Sequence, residues 1–162
     1  MRHLDLFSGI GGFALAAQWV WGEDHEVVAF CEIDKFCQKV LRKHWPDTPI
    51  CEDIRSLNGK EYKDIDLLTG GFPCQPFSCA GHKRGSDDDR YLWPEMLRII
   101  EETQPRWIIG ENVAGIEYMD FSAMLTQLEA KGYEIEVFDI PACGVGKLHR
   151  RRRWWITAHS KS

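Results

Sequence analysis

Asp5-Leu6-Phe7-Ser8-Gly9-Ile10-Gly11-Gly12 decides the reading of this chain: an apolar, strand-like segment from His3 to Phe7 runs into clustered glycines, and a helical pattern from Phe13 to Trp21 follows at once. Glycines in such a turn let the backbone approach a ligand closely at a helix N-terminus. The spacing is not the full dinucleotide fingerprint, and a plain tight turn would use the same residues. Working outward, Val27 to Cys31 reads as a second strand and Lys35 to Lys43 as a second helix. That helix takes Asp34 as its N-cap, buries Phe36, Val40 and Leu41, and ends before Pro46. Strand and helix alternate, which predicts a parallel sheet with crossover helices.

Glu32 stands about 20 residues beyond the turn, past the second strand, where a carboxylate is placed to hold ribose hydroxyls. With Phe7, Ser8, Gly9, Gly11 and Gly12 it outlines an adenosine pocket. Asp53, just after a presumed third strand, is placed to accept from an adenine amino group. A helix cap or solvated turn would also explain it.

Further strands are expected at Asp66 to Thr69 and Trp107 to Gly110, with a helix from about Trp93 to Thr103 before the latter. The polar, glycine-containing stretch between Phe72 and Arg90 is long for a connection, and loops of that length are often functional. A last helix, about Phe121 to Lys131, turns Met124, Leu125 and Leu128 inward and is closed by Gly132. Tyr133 to Ile140 and Arg153 to Ala158 alternate as an antiparallel pair should.

At 162 residues the chain fits one domain, and 44% apolar with 28% charged residues is a globular composition, not a disordered one. The net charge of -5 argues against gripping nucleic acid by overall charge, so local charge must do it. Lys147 and Arg150 to Arg153 supply that charge within a single short run. No apolar stretch approaches the roughly 18 residues of a membrane span, and no signal-peptide pattern opens the chain. An intracellular location is expected, and with it reduced cysteines. None of the six cysteines lies in a tight Cys-x-x-Cys pair, so no metal site is expected.

Gly71-Phe72-Pro73-Cys74-Gln75-Pro76-Phe77-Ser78 closely resembles the nucleophile motif of DNA cytosine-5 methyltransferases, and further pieces fall in that family's order. Asp5 to Phe13 is similar to its first motif, Glu32 to its second, Asp53 to its third and Leu92 to part of its fifth. Glu111-Asn112-Val113 is similar to the sixth, and His149-Arg150-Arg151-Arg152-Arg153 to the eighth. The resemblance covers nearly the whole chain. It implies an α/β, Rossmann-like doubly wound sheet, mostly parallel with a C-terminal antiparallel hairpin, which is the fold of S-adenosylmethionine-dependent methyltransferases. It implies S-adenosyl-L-methionine as cofactor, double-stranded DNA as partner and a cytoplasmic protein of bacterial or phage type. Ile33, Ile54, Phe72, Pro73 and Leu92 then join the cofactor pocket.

The chemistry agrees with the residue types. Carbon 5 of cytosine is a poor nucleophile until something adds at carbon 6, and a thiolate is suited to that step. Cys74, after a strand and a proline, is the expected nucleophile. Glu111, at the end of a core strand, is suited to hold a proton at ring nitrogen 3. By resemblance, Arg151 and Arg153 reach the cytosine carbonyl and brace the active-site loop or phosphate, whereas Arg150 and Arg152 point away as an exposed positive edge. The target base must leave the duplex stack. The loop from Ser78 to Arg90, with Lys83 and Arg84, is the expected lid, and Gln75 and Ser78 are expected to contact DNA. No residue is identified for removing the carbon 5 proton.

The chain stops soon after the eighth motif, and Leu148 stands where many members carry proline. A single catalytic domain over 1–162, without a target-recognition region or the last family motif, is expected. Four arrangements follow: a minimal enzyme of loose specificity, a subunit completed by a second chain, a homodimer, or an inactive binding module. A nucleotide-dependent oxidoreductase would share the turn and carboxylate but leaves Cys74, Glu111 and the arginines unexplained.

Overall fold

The computed structural model describes residues 1–73, 91–113 and 121–161. Cys74, Gln75, Ser78, Lys83, Arg84 and the expected lid lie outside the described residues.

The first half alternates β1 (Arg2–Leu6), α1 (Gly12–Trp21), β2 (Glu26–Cys31), α2 (Lys35–His44), β3 (Ile50–Cys51) and β4 (Leu67–Gly70). The second half holds α3 (Trp93–Thr103), β5 (Trp107–Val113), α4 (Phe121–Ala130), β6 (Tyr133–Pro141) and β7 (Arg152–Ser160). Among the described residues the strands form one sheet in the order β3-β2-β1-β4-β5-β7-β6. The first five of these run parallel, whereas β7 is antiparallel to β5 and β6 antiparallel to β7. Strand order reverses at β1, with β2 on one side and β4 on the other. In open α/β sheets ligands bind beyond the carboxyl ends of strands at such a switch point.

Side chains alternate across β1. Leu4 and Leu6 join a core with Met96, Ile99 and Ile100 of α3 and Met124 and Leu128 of α4. The opposite face is covered by Ala14 of α1, Phe30 and Leu41. Among the described residues no helix is long and apolar enough to cross a membrane.

α2 departs from its expected packing. Asp34 is the N-cap, accepting from the Cys37 N–H at 2.9 Å, and Leu41 is buried. Phe36, however, is 70% exposed, and Gln38 is fully buried in its stead. The Gln38 amide donates to the backbone carbonyl of Glu32 at 2.7 Å, so a hydrogen bond at the site fixes the rotation of the helix. β5 also runs past Gly110 to Val113, because Glu111, Asn112 and Val113 pair with Trp155, Trp154 and Arg153 of β7.

Candidate active site

The glycine turn is built by the chain around it. Phe7 adopts φ 52 and Gly9 φ 54, and the Ser8 hydroxyl donates to the Asp5 carbonyl at 2.6 Å. The Ser8 N–H reaches across to the Cys31 carbonyl at 3.1 Å. Gly11, at φ 87, leads α1; among the described residues no side chain caps this helix, and its first turn carries no acidic residue, which leaves its first N–H groups for a ligand. A side chain at Gly11 would meet the Trp45 ring at 2.6 Å. That position needs glycine on two counts.

Glu32 closes the turn from the neighbouring strand. One carboxylate oxygen accepts the Gly9 N–H at 2.7 Å and the other the Asp34 N–H at 2.7 Å. A carboxylate offers about four lone-pair positions, so two remain for hydroxyl donors. Beside it lies a cavity of about 500 Å³ lined by Phe7, Glu32, Ile33, Asp53, Ile54 and Leu92, with Gly71 and Pro73 at its inner wall. That volume lies within the range of small-molecule sites. Larger grooves of about 610 and 740 Å³ lie near Tyr133 and Lys161, and neither includes a residue of the turn.

Asp53 lines the cavity and also caps the short turn Ile54–Ser56 by accepting the Arg55 N–H at 3.0 Å. Arg98 of α3 braces this wall, donating to the Ile54 carbonyl at 2.8 Å and the Leu57 carbonyl at 2.9 Å.

The second half of the site sits on β5 and β7. Glu111 Oε1 and Arg153 Nε form an ion pair at 2.7 Å, both half-buried. Trp155, the register partner of Glu111, meets the edge of Phe13 from α1 at 5.9 Å between centroids. The sequence singles out Arg151 and Arg153 together, and the structure separates them. Arg153 reaches Glu111, whereas Arg151 stands exposed just before β7. Arg152 is exposed and ion-paired with Asp139 of β6, donating through Nε at 3.0 Å.

Gly71 joins the two halves. It lines the cavity, and a Cβ built on it would lie 3.4 Å from Glu111 Oε2. Asn112 secures the same segment: its buried amide donates to the Phe72 carbonyl at 3.0 Å, and its oxygen accepts the Val113 N–H at 2.8 Å. Sequence reading quoted Asn112 in a motif but gave it no task, because the partner is 40 residues away.

Beneath the turn runs a buried polar chain that sequence reading missed. Asp5 Oδ1 accepts from the Thr69 hydroxyl at 2.6 Å, Thr69 meets His3 Nε2 at 2.7 Å, and His3 Nδ1 meets His25 Nε2 at 3.0 Å. Asp5 Oδ2 is buried without a hydrogen-bond partner among the described residues. Burial pushes the Asp5 carboxyl up to about 8, against the hydrogen bond from Thr69 and with help from the charge of Glu32. Burial, then the charge of His25, pushes His3 down to about 3.

With this geometry in hand, the comparisons with known proteins are specific. The sequence profile described as "C-5 cytosine-specific DNA methylase" matches residues 1–162. The type II methyltransferase M1.ScrFI of Lactococcus lactis subsp. cremoris is 37% identical over 99% of this chain and 42% of its own length. M.NgoMIV of Neisseria gonorrhoeae is 41% identical over 80% of this chain and 42% of its own length. The crystal structure of a DNMT2 mutant from Spodoptera frugiperda superposes with a TM-score of 0.82 at 26% identity, covering 99% of this chain and 50% of that one. This chain therefore spans less than half the length of the curated relatives it matches.

Proposed function

The chain belongs to the C-5 cytosine-specific DNA methylase family, and we propose that it is the catalytic domain of a DNA cytosine-5 methyltransferase working through Cys74. One observation carries this reading. Gly71 and Pro73, immediately before Cys74, line the cavity, and a Cβ added at Gly71 would lie 3.4 Å from Oε2 of Glu111, the carboxylate that pairs with Arg153.

The residues present fit S-adenosyl-L-methionine. Glu32 would take the ribose hydroxyls, Asp53 the adenine amino group, Ile33, Ile54 and Leu92 the ring faces, and Phe7 with the glycine turn the remainder. When bound, the cofactor supplies an activated methyl group. On the opposite side of a flipped cytosine, the Cys74 thiolate adds to carbon 6, and electron density moves toward ring nitrogen 3. Glu111 holds a proton at that nitrogen, and Arg153, already paired with it, fixes its direction. Arg151, exposed at the entrance to β7, would meet DNA, and the sequence assigns Gln75, Ser78, Lys83 and Arg84 the same task.

Double-stranded DNA is the proposed partner, and a second chain or a homodimer mate is proposed beside it for a chain that spans 42% of the length of M1.ScrFI and of M.NgoMIV. Relatives from bacteria make the cytoplasm the expected compartment. The test is a covalent trap: duplex DNA carrying 5-fluorocytosine, labelled donor and the chain should give an adduct stable to denaturant, and Cys74→Ala should give none. Donor binding without any adduct or label transfer, on DNA of varied sequence, would instead favour a binding module.

A further inference from the structure

We propose that Cys31 and Cys51 form an oxidisable thiol pair in the wall of the cofactor cavity, closed to a disulfide by a peroxide and reopened by a thiol reductant. The effect on cofactor binding rests on the function proposed above.

Cys31 ends β2 and Cys51 ends β3, and they are register partners in a parallel pair, directly opposite each other. Neighbouring strands lie about 4.8 Å apart, inside the span of about 4.4–6.8 Å between Cα atoms that a disulfide bridges. Both cysteines are free, and their side chains are close enough that Cys51 adds to the upward push that burial gives the Cys31 thiol. Cys31 is buried and lines the cavity; Cys51 is half-buried and precedes the lining residues Glu52 and Asp53. The Cys51 thiol donates to the Asp53 carbonyl at 3.2 Å, so it holds the wall that carries the expected adenine contact.

The accessible partner reacts first. Peroxide oxidises the Cys51 thiol to a sulfenic acid, releasing water. The Cys31 thiol then attacks that sulfur, the S–O bond breaks, and the Cys31 proton leaves with hydroxide as a second water. Burial pushes the Cys31 thiol up, which makes it a poor first target and leaves it the resolving partner. Closing the disulfide removes the donor to the Asp53 carbonyl and fixes β2 against β3 beside the cavity.

The experiment treats the Cys74→Ala chain with hydrogen peroxide, with and without S-adenosylhomocysteine, and maps cross-linked peptides by mass. A Cys31–Cys51 peptide lacking two hydrogens, protection by the bound nucleoside, and at least a ten-fold loss of donor affinity restored by dithiothreitol are expected. Cys51→Ser, which keeps a hydroxyl donor at this position, should show the same donor affinity before and after peroxide treatment. Oxidation at Cys51 without the link, or the link with undiminished donor affinity, would overturn the proposal. A reduced chain that binds no donor at all contradicts the function proposed above, while the cross-link is still scored by mass.

Discussion

The Glu32 carboxylate accepts the Gly9 N–H at 2.7 Å, so the turn on β1 is held from the end of β2 by a charged acceptor. The same carboxylate caps Asp34 N–H, and the Gln38 amide holds the Glu32 backbone. Three contacts thus converge on one residue, two on its carboxylate and one on its backbone. Glu32→Gln presents an NH₂ group to one of those N–H donors and leaves it unsatisfied. The expected cost is about 2 kcal/mol of stability, read from urea unfolding, with at least about a ten-fold weaker donor affinity by calorimetry. Unchanged affinity in a folded variant would remove Glu32 from the pocket.

Asn112 links β5 to the residue two before Cys74. Asn112→Ala leaves the Phe72 carbonyl without its buried donor, which costs about 1–3 kcal/mol. As a positioning residue Asn112 should show a second signature: the variant binds donor nearly as well as the parent yet forms the 5-fluorocytosine adduct at least ten-fold more slowly. Equal loss in both assays would indicate a purely structural role.

Glu111 and Arg153 act as one unit in their ion pair. Glu111→Gln and Arg153→Ala are each expected to slow adduct formation about 10²–10⁴-fold. The double variant should be little worse than the weaker single one, since groups that work together are not additive. Multiplicative losses would separate the two roles.

The sheet and its crossover helices were legible because periodic apolar patterns report local geometry: α3 occupies the expected Trp93 to Thr103, and the β6–β7 pair closes the sheet as the alternation implies. Phe36 misled because hydropathy ranks it above Gln38, while a hydrogen bond to Glu32, visible only in the folded chain, turns α2 the other way. Phe7 and Glu32, which line the cavity beside the turn, were legible through spacing. The Arg98 clamp, the Asn112 bond and the Asp5–Thr69–His3 chain join positions 40 to 66 residues apart, which pattern alone does not connect.

Gly11 and Gly9 both sit at positive φ but differ in surroundings. Alanine at 9 meets nothing within 4 Å, so its cost is the backbone term of about 1–2 kcal/mol. Alanine at 11 adds overlap with Trp45 and Leu41, and a further 1–3 kcal/mol or so is expected from overpacking. Comparing the two variants by thermal unfolding separates strain from collision. Equal losses would mean that the Trp45 ring moves aside freely.

Asp5 and His3 give the fold a pH dependence whose sign can be worked out. His3 titrates near 3 when folded and 6.5 when unfolded, so its neutral burial is costless above about 6.5 and destabilises as the pH falls below that. Asp5 titrates near 8 when folded and 3.8 when unfolded, so the folded state binds the extra proton and loses stability as the pH rises from 3.8 toward 8. Below 6.5 the two oppose each other, and His25, also held below its ordinary value mainly by burial, sides with His3. Between 6.5 and 8 Asp5 is the main contributor among the described residues, and the parent should lose about 2 kcal/mol across that window. Asp5→Asn cannot ionise and should show a flat urea midpoint there, whatever its absolute stability. Parallel slopes for parent and variant would assign the pH dependence to other groups and leave Asp5 ionised in the fold.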